Sequence, residues 1–198
     1  MKILSWNCRG LGKPTVVLKC RKKALEHKLD IMFLMETWLV KEKGKHVWIK
    51  SGFDDGWEVP REGLGGGLIL AWLPGHNLQI VFQSNHIIHI DLLDTKGNPL
   101  SITFIYGHPE HSKRGEVWQQ HRNLKNIAHP NWLCIGDFNQ ILSKEEKFSF
   151  NQGSIVGADL FQQTISKLQI CNLVATGQKF TWMNNRKEGE GFCDGETR

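Results

Sequence analysis

The chain has 198 residues, of which 40% are hydrophobic and 23% charged, a balance that excludes a disordered tail, a collagen-like repeat and a coiled coil. That length suits one domain able to bury its own core. The net charge of +5, from 25 Lys+Arg against 20 Asp+Glu, suits a polyanionic partner such as nucleic acid, and equally an ordinary basic globular protein.

From the N-terminus, residues 3–6 read as a short strand that ends at Asn7. Gly10, Gly12 and Pro14 then break the chain. Over 15–29, Val17, Cys20, Ala24, Leu25 and Leu29 recur at helical spacing while Lys19, Arg21, Lys22 and Lys23 fill the other face. That basic face could meet DNA phosphates or simply be the solvated side of the helix. Residues 31–35 form a continuous apolar run, the pattern of a strand buried on both faces, and it stops at Glu36. Strand-like segments follow at 68–73, 78–82, 87–93 and 102–106, with a hairpin loop at 94–99. The glycines at 65–67 lack the Lys-Ser/Thr of a phosphate-binding loop and read as a place where a strand starts close against its neighbour. A helix over 116–128 precedes a strand over 132–135 that delivers Gly136-Asp137-Phe138-Asn139. A second helical pattern covers 158–173, and 180–182 reads as a last strand. Strands in runs with helices inserted between some of them point to an α/β fold of two packed sheets covered by helices.

The five cysteines, at 8, 20, 134, 171 and 193, are odd in number, widely spaced and without a CxxC, as expected of reduced thiols in an intracellular protein. No apolar signal segment follows Met1, and the longest apolar stretch, 68–73, falls far short of the ~20 residues of a spanning helix. The reading is a soluble protein, nuclear or cytoplasmic, with no membrane association.

Three apolar runs end in polar residues: Asn7, Glu36, and the pair Asp137 and Asn139. Strand ends are where ligand sites assemble in layered α/β folds. Carboxylates with neighbouring amides suit Mg²⁺, a hard cation that keeps several waters. The same residue types also serve as turn formers and helix caps. Trp38 and Trp48 could stack on a base, or belong to the core.

Taken in order, Ser5-Trp6-Asn7-Cys8-Arg9-Gly10-Leu11-Gly12, Leu34-Met35-Glu36-Thr37-Trp38, Ile105-Tyr106-Gly107-His108-Pro109, Ile135-Gly136-Asp137-Phe138-Asn139 and Phe180-Thr181-Trp182-Met183-Asn184 resemble the motif set of the exonuclease–endonuclease–phosphatase superfamily. The opening and the ending look most like the endonuclease domain of plant LINE-type, non-LTR retrotransposons. The resemblance implies a four-layer α/β sandwich: two mixed β-sheets face to face, with helices outside. It implies Glu36 as the Mg²⁺ ligand (Mn²⁺ as a substitute) and Asn7 as support for metal and phosphate. Asp137 matches the aspartate that orients water or stabilises the leaving group. Asn139 and Tyr106 match groups at the scissile phosphate, and Thr181 matches a residue lining the DNA groove. The implied reaction is hydrolytic nicking of DNA by a monomer, leaving a 3′ hydroxyl for a reverse transcriptase domain once joined to it. Alternatives are a non-catalytic nucleic-acid-binding relic or another phosphoesterase of the superfamily.

The sequence departs from that pattern near its end. The Ser-Asp-His of the family is missing, and none of the nine histidines lies in the last third of the chain. His108 and His111, near Tyr106 in sequence, could approach the site or be loop residues. Removing one base from a permissible codon choice for residues 192–198 restores the family-like Phe-Val-Met-Glu-Arg-Leu. The expectation is therefore an endonuclease domain over 1–191 that lacks its last strands, with an out-of-frame tail at 192–198, marginal stability and impaired nicking.

Overall fold

A computed structural model describes residues 1–148, 154–174, 176–177 and 195–196. The predicted strand over 180–182, with Thr181, lies outside them. The chain divides into two compact units: Met1–Tyr106 with Ala128–Asp137, and Gly107–Ile127 with the residues from Phe138 onward.

The first unit carries two mixed four-stranded sheets. Strands β1 (Ile3–Asn7), β2 (Ile31–Met35), β3 (Asp55–Val59) and β4 (Leu68–Trp72) run in the order β1-β2-β4-β3. Strands β5 (Gln79–Gln83), β6 (Ile87–Leu93), β7 (Pro99–Tyr106) and β8 (Trp132–Asp137) run in the order β5-β6-β7-β8. In each sheet one pair at an edge is parallel, β1 with β2 and β7 with β8, and the other neighbours are antiparallel.

Strand alternation explains how the sheets pack. Ile31, Phe33 and Met35 of β2 and Leu68 and Leu70 of β4 face Ile88, Ile90, Ile102 and Phe104 of the other sheet in one core. The Phe33 and Phe104 rings meet across it with centroids 5.0 Å apart. Full burial of each such side chain stabilises the fold by about 1.5–3 kcal/mol. The opposite face of the first sheet, through Met32, Leu34, Ile69 and Ala71, packs on α1 (Pro14–His27) and α2 (Gly44–Ser51). Every residue of β2 is buried, as its unbroken apolar run predicts.

Helix α1 begins at Pro14, whose ring favours the first helical position, and ends with Lys28 in the left-handed region. It buries Val17 and Cys20, with Ala24 partly buried. Leu25, predicted for the same face, is exposed: it sits about 100° round the helix from Ala24. Lys19, Arg21 and Lys22 are exposed, and Lys23 lies over the Trp6 ring. Trp48 is buried against Gly44 and Gly56, so it belongs to the core and offers no face for base stacking.

Neither α2 nor β3 is visible in the sequence. Helix α2 has no acidic residue in its first turn and no local side-chain cap. Its cap comes from β3: the Glu58 carboxylate accepts from the backbone N–H groups of Glu42 and Gly44, the latter at 2.6 Å. Strand β3, Asp-Gly-Trp-Glu-Val, has weak intrinsic strand propensity and is held by antiparallel pairing to β4.

In the second unit, α3 (Arg114–Leu124) and α4 (Ala158–Leu168) pack together. Both are shorter than predicted. Trp118, Phe138 and Phe161 form an aromatic cluster, with Trp118 and Phe161 centroids 4.7 Å apart. Arg122 Nη1 donates to Thr164 Oγ1 at 2.7 Å, and Lys125 Nζ to the Lys167 carbonyl at 2.6 Å. Strands β9 (Lys147–Phe148) and β10 (Gly195–Glu196) pair antiparallel.

Candidate active site

Parallel pairing brings like ends together. In β1 and β2, Asn7 stands opposite Met35, the residue before Glu36. In β7 and β8, Tyr106 stands opposite Asp137. The edge strands β1 and β8 lie against each other. The C-terminal ends of four strands, two from each sheet, therefore meet at one place, and each carries a polar side chain there.

Those side chains form one hydrogen-bonded cluster. Asn7 Nδ2 donates to Glu36 Oε1 at 2.7 Å and to Asp137 Oδ2 at 3.1 Å. The Tyr106 hydroxyl donates to Glu36 Oε1 at 2.9 Å. Two carboxylates can only accept from the same group if it is the amide nitrogen, which fixes which way the Asn7 amide faces. Its Oδ1 is left buried with no hydrogen-bond partner among the described residues. Glu36 Oε1 takes two donors, while Oε2 accepts no hydrogen bond among the described residues. Asp137 is only 2% exposed, and its backbone N–H points at Met35 Sδ, 3.3 Å away.

The backbone here is built for close approach. Glu36 and Trp38 both lie in the left-handed region, at φ 52° and 56°, a conformation costly for residues with side chains. Bonds on both sides hold them there: Gly10 N–H to the Glu36 carbonyl at 2.7 Å, Thr37 N–H to the Gly67 carbonyl at 3.1 Å and Trp38 N–H to the Gly66 carbonyl at 3.0 Å. Gly67 must be glycine, because a Cβ there would meet Thr37 Oγ1 at 2.5 Å and its φ is +86°. Gly136 is the second such position: a Cβ would lie 1.8 Å from the Ile105 carbonyl oxygen.

The donor set fits a small hard cation. Two carboxylates linked through one amide repel each other, and a divalent ion held by this cluster would offset that repulsion. The orphaned Asn7 Oδ1 is an oxygen donor whose burial is uncompensated among the described residues. No group of three or more His, Cys, Asp and Glu suited to a metal occurs among the described residues. A sparse, all-oxygen set matches Mg²⁺ or Mn²⁺ retaining water ligands, and does not match zinc.

Asn7, Glu36, Tyr106 and Asp137 thus come together in the first unit. Asn139 belongs to the second unit, at φ 51°, and its Nδ2 donates to the Gly107 carbonyl at 2.7 Å. Also in that unit, His108 Nδ1 accepts from the Glu110 backbone at 3.0 Å, and His111 Nδ1 pairs with Arg114 Nη1 at 2.7 Å. Burial, then the neighbouring Arg114 charge, push the His111 pKa down, and because a guanidinium only donates, Nδ1 is the acceptor in this pair. Trp38 is 47% exposed. Sequence reasoning missed His86, whose ring stacks on Tyr106. Nothing in its own neighbourhood marks it, because its partner lies 20 residues away across the sheet.

The family described as Endonuclease/Exonuclease/phosphatase matches residues 4–191. No curated protein sequence matches the chain. Similar solved structures include the endonuclease domain of TRAS1, a telomere-specific non-LTR retrotransposon, at 15% identity and TM-score 0.66, covering 99% of this chain and 81% of that one. An AP endonuclease from Archaeoglobus fulgidus has 13% identity and TM-score 0.66, covering 85% of this chain and 70% of that one. The 3′ phosphatase NExo from Neisseria, bound to product DNA hairpin, has 13% identity and TM-score 0.60, covering 84% and 71%. At these identities the likeness is one of fold, and it agrees with two mixed sheets whose parallel strand ends converge. With the family description spanning nearly its whole length, the chain belongs to the endonuclease/exonuclease/phosphatase family.

Proposed function

We propose that the chain is a divalent-metal-dependent phosphodiesterase that nicks DNA. The observation that carries this reading is the cluster at the strand ends: Asn7 bridging Glu36 and Asp137, with one amide oxygen buried and unpaired among the described residues. Family membership and the similarity to a retrotransposon endonuclease and to AP endonucleases support it. The net charge of +5 is favourable for approach to a polyanion.

Glu36 Oε2 and Asn7 Oδ1 are the donors proposed to hold Mg²⁺ or Mn²⁺. The bound cation would neutralise charge developing on the phosphate. The other steps belong to the chain. Tyr106 and Asn7 hold Glu36 Oε1 so that the other oxygen faces the ligand. The Asp137 carboxylate orients a water for attack on phosphorus and accepts its proton. The water oxygen bonds phosphorus as the P–O3′ bond breaks, the proton taken up by Asp137 passes to the leaving 3′ oxygen, and the products are a 5′ phosphate and a 3′ hydroxyl. Asn139 is proposed to contact the phosphate and Thr181 the DNA groove. A reverse transcriptase as functional partner, and a plant LINE-type origin, belong to the same proposal.

The 198 residues contain no Ser-Asp-His. These residues by themselves offer Asp137 as the one proton-handling group, and working without a second acid–base group costs about 10²- to 10⁴-fold. Slow nicking is therefore expected of a preparation of these 198 residues alone. The test is conversion of supercoiled plasmid to open circles with Mg²⁺ or Mn²⁺, set against EDTA, Glu36→Gln and Asp137→Asn. Metal-dependent nicking by the parent and not by the variants supports the reading. Folded protein that binds DNA without cutting it would favour the non-catalytic relic, a reading that rests on the missing Ser-Asp-His.

A further inference from the structure

Tyr106 is the chain's one tyrosine, and its hydroxyl is one of the two donors on Glu36 Oε1. On its β6 side, what holds Tyr106 is not the regular β ladder. Its N–H donates to the His86 carbonyl at 2.8 Å, as antiparallel pairing requires. The return bond to the Tyr106 carbonyl comes from the imidazole: His86 Nδ1 lies 2.8 Å from that oxygen. A carbonyl only accepts, so Nδ1 carries the hydrogen in this contact. The backbone N–H of His86 is turned away to Ser84 Oγ at 3.3 Å, which also takes the Ile87 N–H at 3.2 Å. Ser84 N–H closes the turn on the Ile87 carbonyl at 2.8 Å. The same imidazole stacks on the phenol ring, with centroids 6.0 Å apart and planes inclined by 22°.

We propose that His86 is a positioning residue of the site: by gripping the carbonyl of Tyr106 and stacking on its ring, it keeps the phenol hydroxyl on Glu36 Oε1 and so orients the carboxylate. The expected effect on rate rests on the hydrolytic reading above, whereas the effect on Tyr106 does not. A side chain is used where a backbone amide would have served, and the substitution places an aromatic ring against the phenol in addition to the bond.

Because the chain has one tyrosine, protein grown with ¹³C-tyrosine gives one set of tyrosine signals. His86→Asn keeps a donor for the carbonyl and removes the ring. His86→Phe keeps the ring and removes the donor. His86→Ala removes both. The Tyr106 carbonyl signal should move in the Phe and Ala variants and stay in Asn, and its ring signals should move in Asn and Ala. Should the Ala variant fail to fold, the Asn and Phe pair decides alone. In plasmid nicking, His86→Ala should lower kcat roughly 10- to 100-fold, as a small displacement of a positioning contact does. KM should change by less than about 2-fold, and the same substitution should cost less than about 2-fold when made in Tyr106→Phe. Unmoved Tyr106 signals, or an undiminished loss in the Tyr106→Phe background, would overturn the proposal. If the parent protein shows no hydrolysis, the rate effect falls with the hydrolytic reading, and the tyrosine signals decide whether His86 holds Tyr106.

Discussion

The first unit contains two polar clusters built from similar parts and put to different uses. One is the strand-end group of Asn7, Glu36, Tyr106 and Asp137. The other lies in mid-strand on the outer face of the second sheet. There His89 Nδ1 pairs with Thr103 Oγ1 at 2.7 Å, and Trp132 Nε1 donates to the same oxygen at 2.7 Å. Ser101 Oγ donates to Asp91 at 2.6 Å, and His129 Nε2 lies 3.5 Å from Asp91. Among the described residues each cluster leaves one buried atom without a hydrogen bond, Asn7 Oδ1 in the first and His89 Nε2 in the second. They differ in charge balance. At the strand ends two carboxylates share one neutral amide, whereas Asp91 is a single carboxylate with a hydroxyl donor and two imidazoles beside it. They also differ in backbone: mid-strand residues are locked by their ladders, whereas Glu36 sits in a left-handed loop held from both sides. Two neighbouring carboxylates at converging strand ends invite a cation; a single carboxylate surrounded by donors inside a sheet welds strands together.

That contrast can be broken by mutation. The largest effect should come from Glu36→Gln and Asp137→Asn: nicking falls by at least about 10²-fold, while the thermal midpoint holds or rises because the carboxylate repulsion is relieved. Plasmid nicking paired with a melting curve checks both halves. Thr103→Val should do the reverse. It leaves His89 Nδ1 and Trp132 Nε1 without their shared partner, costs about 1–3 kcal/mol in urea unfolding, and leaves the nicking rate of the folded protein unchanged. A loss of rate equal to that of Asp137→Asn would erase the distinction.

A smaller effect is a slope with pH. Burial pushes the His89 pKa down from its ordinary 6.5, outweighing the attraction of Asp91, with His129 adding to the depression. A histidine that is harder to protonate when folded adds no penalty above 6.5, and stability is lost as pH falls below it, since the unfolded chain takes up the proton first. The urea midpoint should therefore drop between about pH 6.5 and 5 in the parent, and less steeply in His89→Gln. The smallest effect is on thiols. Burial raises Cys8 and Cys134 to about 12 and Cys20 to about 11. Cys171 is exposed, so among the four described cysteines it should be labelled first by a disulfide reagent at neutral pH, with the other three following only on unfolding.

Much of this could be read from the sequence, because its cues are local. The apolar run at 31–35 can only be a strand buried on both faces, and the run at 87–93 has its observed bounds. Pro14 opens α1, and Asp94 organises the predicted hairpin loop by accepting from the Lys96 and Asn98 backbones at 2.8 Å each. Polar residues that end such runs mark Asn7, Glu36 and Asp137 as candidates. Tertiary structure decided the rest. Helix α2 is capped by Glu58, 14 residues beyond Gly44, and β3 exists because β4 offers it an edge. Leu25 is exposed and Trp48 buried, choices made by the neighbouring sheet and not by helical spacing. The bond from Asn7 to Asp137 spans 130 residues, and His86 reaches Tyr106 across 20. Residue types and their spacing along a strand determine what chemistry a chain can offer. Which side chains share a hydrogen bond depends on strand order and register, and these are set by how two sheets close over one core.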